Sequence, residues 1–274
     1  MRILNRLYMQ WIALWARAYV RVAGAFREPS WMITEVVLPV LSMTAYVYIY
    51  RAFGAPKEYE GLVVVGGAMI PYWLTVLWAM AAQFYWEKEV GNLDLFMVSP
   101  MNAISLLMGM ALGGAFMASV RTVIIFLVGV LFFHVTFQVQ SPGLIVLIFL
   151  LTMTALFSLG MTASSAYFMF GRAGIKINTV LMEPVFLFSG LYFPVRNLGP
   201  ILGMIGALIP LTLGLDGIRQ LVLPSGKAMG FIAPWIEAAI LAGMTLVFSG
   251  TAVFFMRFME RMGKREGRMT LRWQ

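Results

Sequence analysis

Cysteine is missing from the 274-residue chain, and histidine occurs once, at His134. Disulfides and cysteine-ligated metals are thereby excluded, and no histidine pair exists to hold zinc at the usual spacing. Charge is scarce as well. Asp, Glu, Lys and Arg together make up 12% of the residues, about half of the roughly 25% found in soluble domains. Hydrophobic residues reach 61%, and the mean hydropathy is +0.85. One water-facing core cannot hide that much apolar surface, so the implied solvent is lipid. The alternating ten-residue strands of a membrane barrel are absent. Long apolar runs stand in their place and point to helices. Catalytic signatures are missing too: there is no GxSxG elbow, no HExxH and no GxxxxGK[ST] phosphate loop. Gly226-Lys227 and Gly263-Lys264 both lack the earlier glycine that such a loop needs. No catalytic or metal-ligating set is expected, and no cofactor bound by this chain. His134 reads as a polar residue at a membrane interface.

What is present reads as an all-α membrane protein. Apolar stretches of spanning length lie near 31–52, 61–83, 105–133, 143–170, 180–193 and 231–256, about six in all. Trp31, Trp73, Trp86 and Trp235 fall near their ends, where interfacial aromatics are expected. With the N-terminus in the cytoplasm, fourteen Arg and Lys residues fall inside and five outside (Arg51, Lys57, Arg196, Arg219 and Lys227). That asymmetry supports both termini inside, and an even number of spans agrees with it. The net charge of +8 then belongs to the cytoplasmic leaflet, and no nucleic-acid partner is implied. The chain is read as one multi-pass transmembrane domain over 1–274: an N-terminal helix at 1–28, a bundle at 29–256 and a basic cytoplasmic tail at 257–274.

Three stretches depart from plain spans. Over 3–26, a helical wheel puts Arg2, Arg6, Gln10, Arg17 and Arg21 on one side. Ile3, Leu7, Trp11, Leu14, Trp15, Ala18 and Val22 fall on the other. A basic face opposite an aromatic-rich apolar face describes a helix lying in the interface; a helix packed on a protein partner would share the pattern. Residues 194–230 are apolar but broken by Pro194, Pro200, Pro210 and Pro224. Two short helices near 198–209 and 213–222, re-entrant in the outer leaflet between spans five and six, are expected there. Between spans two and three, Glu87 and Glu89 precede an apolar face of Leu93, Phe96 and Met97, with Ser99-Pro100 as a stop. The acids suit a helix N-terminus, and an acidic amphipathic helix in a short loop suits a groove on another protein.

Four ionisable residues lie inside proposed spans: Glu35, Arg121, Glu183 and Glu237. A charge at mid-membrane costs about 2.5–3.5 kcal/mol on insertion scales. Arg121 is the deepest, and it requires a carboxylate partner or a wet cavity. Such groups serve either as structural ion pairs or as contacts for a charged substrate head group. Gly109-x-x-x-Gly113 permits close helix approach.

The loop sequence EKEVGNLDLFMVSP resembles the cytoplasmic loop of type-2 ABC exporter permeases. Glu87, Glu89, Gly91, Leu93, Asp94, Ser99 and Pro100 fall on the family pattern, Asn92 stands where Ser or Thr is usual, and Phe96 where Leu is usual. FLFSGLYFPVRNLGP at 186–200 is similar to a second family stretch, with Gly199 displacing the last proline by one. A third similarity runs from Ile209-Pro210-Leu211-Thr212 to Asp216-Gly217-Ile218-Arg219. The three occur in family order and cover nearly the whole chain.

The resemblance implies the membrane subunit of an ATP-driven exporter in the plasma membrane of a prokaryote. It implies separate cytoplasmic ATPase subunits, which would bind ATP and Mg, and a second permease copy. The loop 84–105 would be the coupling helix, with Glu87, Glu89, Gly91, Leu93, Asp94, Leu95, Phe96, Ser99 and Pro100 facing the ATPase. The N-terminal helix would lie at the membrane surface against the same ATPase. Ser189, Gly190, Phe193, Pro194, Pro210, Asp216 and Arg219 would belong to the extracellular gate. The substrate would be amphipathic: a drug, a lipid-linked sugar or a polysaccharide. An ion-coupled secondary transporter relaying charge through Glu35, Glu183 and Arg121 is the alternative.

Overall fold

The computed structural model describes residues 2–92, 102–170, 180 and 182–266. Every regular element among them is helical. α1 covers Arg2–Arg27, α2 Pro29–Ala52 and α3 Glu58–Leu74; α3 continues as a π-helix over Thr75–Ala81 and is followed by α4, Gln83–Glu89. α5 covers Ala103–Phe133 and α6 Pro142–Phe170. Residue 180 and residues 182–188 are helical and are called α7. Beyond a 3-10 turn at Val195–Leu198 come α8 (Gly199–Gly206), α9 (Pro210–Val222), α10 (Gly226–Met229) and α11 (Pro234–Glu266).

Proline starts many of these helices. Pro29, Pro142, Pro200, Pro210 and Pro234 each stand in the first two positions, where the missing N–H has no intrahelical partner to lose. The prolines that break the apolar run after 194 are therefore partly helix initiators. α5 starts on an N-cap: Asn102 Oδ1 accepts from the Ile104 N–H at 3.2 Å, as a capping asparagine does. It stops at His134, which adopts a left-handed conformation, φ 51°.

Among the described residues, five helices are long and apolar enough to cross a membrane, within Met32–Ala52, Glu58–Ala81, Ile104–Phe133, Pro142–Ser165 and Pro234–Phe258. The expected fifth span, 180–193, is not helical to its end. α7 stops at residue 188, and Gly190 turns with φ +62°. The carbonyls of Gly190 and Leu191 are taken instead by the guanidinium of Arg219. The last helix begins at Pro234, later than expected, and runs to Glu266, well into the stretch read as a tail.

α3 is the axis of the bundle. Of its apolar window 89% is buried, against 17% for the windows in α2 and in α11. Its residues Leu62, Val63, Val64, Met69 and Trp73 form the main core with Met43, Ile125, Leu156 and Leu211. Trp73, expected at an interface, is only 3% exposed within this core. From Leu62 to Gln83 the helix rises roughly 30 Å at about 1.5 Å per residue, so these residues mark opposite ends of the bundle. The sites described next sit at those two ends.

Candidate functional site

At one end of α3, α1 lies along α5 and its backbone comes close to two glycines. A Cβ on Gly113 would stand 2.8 Å from the Ala18 carbonyl oxygen and 2.9 Å from Arg21 Cβ; one on Gly109 would meet the Leu14 carbonyl oxygen and Arg17 Cβ. The Gly-x-x-x-Gly pattern therefore seats the N-terminal helix. Leu14 and Ala18 are buried in this contact, while Trp11, Trp15 and Tyr19 are exposed.

So seated, α1 reaches both flanks of the 93–101 loop. Arg17 Nη2 is ion-paired to Glu87 in α4. Glu87 also accepts from Gln83 Nε2 at 2.6 Å and from Asn92 Nδ2 at 3.1 Å. On the far side of the loop, the Asn102 N–H donates to Gln10 Oε1 at 2.9 Å. Glu87 and Glu89 lie in the second half of α4 and not at a helix N-terminus, as the sequence had implied. Glu87 is buried and turned toward α1; Glu89 is exposed, and Gly91 has φ +82°. Leu93, Asp94, Leu95, Phe96, Ser99 and Pro100 lie outside the described residues.

Beside this anchor is a cavity of about 450 Å³ lined by Arg17, Arg21 and Arg121 with Glu28 and Glu35. Arg121 forms an ion pair with Glu35 and donates from Nη2 to Thr75 Oγ1 at 3.2 Å and from Nε to the Met117 carbonyl at 3.2 Å. Thr75 and Trp78, which also faces the cavity, belong to the π-helix, a rare geometry that is frequent at functional sites. Partial burial lowers the pKa of Arg17 and Arg21, and the charge of Arg21 lowers that of Arg17 further. Thus the basic side of α1 turns these two arginines toward the protein interior.

At the other end of α3, Arg219 of α9 ties three segments together. Its Nε and Nη2 donate to the Leu62 carbonyl at 3.1 and 2.8 Å, Nη1 to the Gly190 carbonyl at 2.6 Å, and Nη2 to the Leu191 carbonyl at 2.5 Å. The approach of Leu191 to α3 leaves no room for a Cβ on Gly66. Asp216, one turn before Gln220, accepts from the Phe231 N–H at 2.8 Å and from Gln220 Nε2 at 2.9 Å. Gln220 Nε2 lies 3.5 Å from Glu237 Oε2. Tyr50 Oη donates to the Tyr192 carbonyl at 2.9 Å.

The expected gate residues thus gather in one place: Gly190 through its carbonyl, Asp216 and Arg219 through their side chains, and Pro210 as the start of α9. Ser189 and Pro194 are buried beside them and Phe193 half-buried. The four charged span residues separate. Glu35 and Arg121 pair, Glu237 joins Asp216 and Gln220, and Glu183 is exposed and forms no ion pair among the described residues. Sequence reading missed Gln10, Gln83, Asn102 and Thr75 as parts of these sites. A short polar residue inside an otherwise apolar helix was the signal available for Thr75.

No curated protein matches the chain at a significant level. A family model described as ABC-2 type transporter matches residues 9–223, which takes in most of α1, its glycine seat, the loop and Arg219. The chain is therefore a multi-pass membrane transport subunit that belongs to the ABC-2 type transporter family.

Proposed function

We propose that this chain forms the translocation pathway of an ATP-driven exporter of an amphipathic molecule: a drug, a lipid-linked sugar or a polysaccharide. Two permease copies and two separate ATPase subunits make up the machine, in the plasma membrane of a prokaryote with both termini cytoplasmic. ATP and Mg belong to the ATPase subunits. The residues 93–101 and the exposed Glu89 meet the ATPase, while Glu87 belongs to the anchor behind them. The Arg219 cluster holds the extracellular end shut between cycles, with α8 and α9 returning into the outer leaflet.

The observation that carries this reading is the double hold of α1 on the loop. Arg17 binds the flank before it and Gln10 the flank after it. A push on the loop is thereby delivered to α1 and, through the glycine seat, to α5. The ion-coupled alternative gains no support, because its relay needs Glu183 beside Glu35 and Arg121.

The test is co-purification followed by reconstitution. A tagged permease should retain an ATPase subunit after mild solubilisation, and proteoliposomes holding both should accumulate an amphipathic dye only with ATP. Retention of no ATPase, together with dye movement that follows an imposed ion gradient, would refute the proposal.

A further inference from the structure

The cavity beside α1 holds one positive charge more than its ion pairs consume. Arg17 is bound to Glu87 and Arg121 to Glu35. Arg21 lines the same cavity and makes no hydrogen bond or ion pair among the described residues. Glu28, the remaining acid of the lining, is exposed and not within ion-pair distance of Arg21. A guanidinium partly withdrawn from water, with two more beside it, lacks the counter-anion that such groups normally have.

The walls define what kind of anion fits. Trp78, Trp86 and Met32 line the cavity together with the arginines, so a guest meets charge and apolar surface at once. Its volume of about 450 Å³ equals roughly 15 waters at about 30 Å³ each. That is room for a head group and its first methylenes. Val20 and Gly24 of the lining are exposed, and α2, which contributes Met32 and Glu35 to the lining, carries the exposed apolar residues Ile33 and Val37. Acyl chains lying there would leave the head group inside.

We propose that this cavity is a resident site for the phosphodiester head group of an anionic phospholipid, with Arg21 as its counter-charge and the acyl chains along α2. A phosphodiester carries one negative charge, which equals the surplus, and guanidinium binds phosphate with two parallel hydrogen bonds. A zwitterionic lipid would bring its own cation toward Arg17 and Arg121. The bound lipid would pin the α1–α2 corner to the leaflet in which α1 lies. This proposal does not depend on the transport reading.

The experiment is native mass spectrometry of the full chain in a neutral detergent, with phosphatidylglycerol, phosphatidylcholine or inorganic phosphate added separately. The wild type should retain one phosphatidylglycerol at least tenfold more tightly than phosphatidylcholine, and no inorganic phosphate. Arg21→Gln should lose that preference and Arg21→Lys should keep most of it. Gly24→Trp tests the space without touching the charge. A Cβ at Gly24 meets nothing within 4 Å, so the side chain can start without a clash; once an unchanged melting temperature shows that the variant is folded, it too should lose the lipid. Equal phosphatidylglycerol binding by wild type, Arg21→Gln and Gly24→Trp overturns the proposal. So does retention of inorganic phosphate in place of lipid, or equal retention of the two lipids.

Discussion

Replacing Gly109 and Gly113 together by alanine should loosen α1 without disturbing the rest of the bundle. Ordinary Cβ contacts begin at about 3.4 Å, and a Cβ on Gly113 would lie 2.8 Å from the Ala18 carbonyl oxygen. A shift of at least 0.6 Å is required there, and more at Gly109, where the obstacle is also backbone. Overpacking of this kind costs about 1–3 kcal/mol per site. The same shift would stretch the 2.9 Å bond from Asn102 to Gln10 to the limit at which hydrogen bonds cease to count. If only about 1.4 kcal/mol of the cost falls on the docking of α1, its amides exchange about tenfold faster. Hydrogen exchange read by mass spectrometry on the purified protein measures this. The α1 peptides should exchange at least tenfold faster in the double variant, while α9 peptides keep their wild-type protection. Unchanged exchange in α1 would refute the idea that these glycines seat it.

Arg219→Met keeps the apolar stem and leaves the carbonyls of Leu62, Gly190 and Leu191 without their shared donor; at about 1–3 kcal/mol for each buried group, a loss near 3 kcal/mol should lower the melting temperature in detergent by roughly 6–12 °C. Arg121→Ala should reduce ATP-dependent transport at least tenfold while most of the folded protein remains, because Glu35, with its side chain 33% exposed, can hydrate once unpaired; equal losses of folded protein and transport would make Arg121 purely structural. Glu87→Gln should uncouple the complex: ATPase turnover persists, but dye accumulation per ATP falls severalfold because α1 no longer follows the loop. Asp216→Ala should orphan the Phe231 N–H, while Gln220 Nε2 keeps the Ile232 carbonyl at 2.6 Å, at a cost of about 1–3 kcal/mol, seen as faster exchange at residue 231 than in α6.

Five of the six expected spans were legible because hydropathy and length alone dictate them. α1 was legible from its two faces, yet its orientation was not. Periodicity tells apolar from basic, but it cannot tell that the buried stripe is Leu14 and Ala18, which fit two glycines, and not the larger Trp11 and Trp15. Trp73 misled for a related reason. Tryptophan favours interfaces on average, but α3 is buried from Glu60 to Trp73, so Trp73 meets other helices in place of the membrane surface. The pairing of Arg121 with a carboxylate followed from the cost of a lone charge, whereas the choice of Glu35 over Glu183 needed the helix packing. The end of the expected fifth span was obscured because Arg219, many residues downstream, takes the carbonyls that would continue a helix. Long-range hydrogen bonds of that kind leave no mark in local sequence. The segment read as the coupling helix lies largely outside the described residues, so its flanks alone contribute.

The enclosure of α3 also bears on how the protein is made. α3 leaves the ribosome before α5, α6 and α9, the helices that wrap it. Until residue 219 has been synthesised, the Leu62 carbonyl lacks its guanidinium partner, and a helix destined for the interior faces lipid or the insertion machinery. Nascent chains stopped short of α9 should therefore remain open assemblies, handed over to membrane quality control. Closure around this end of α3 therefore waits for α9, with Arg219 as the residue that joins Leu62, Gly190 and Leu191.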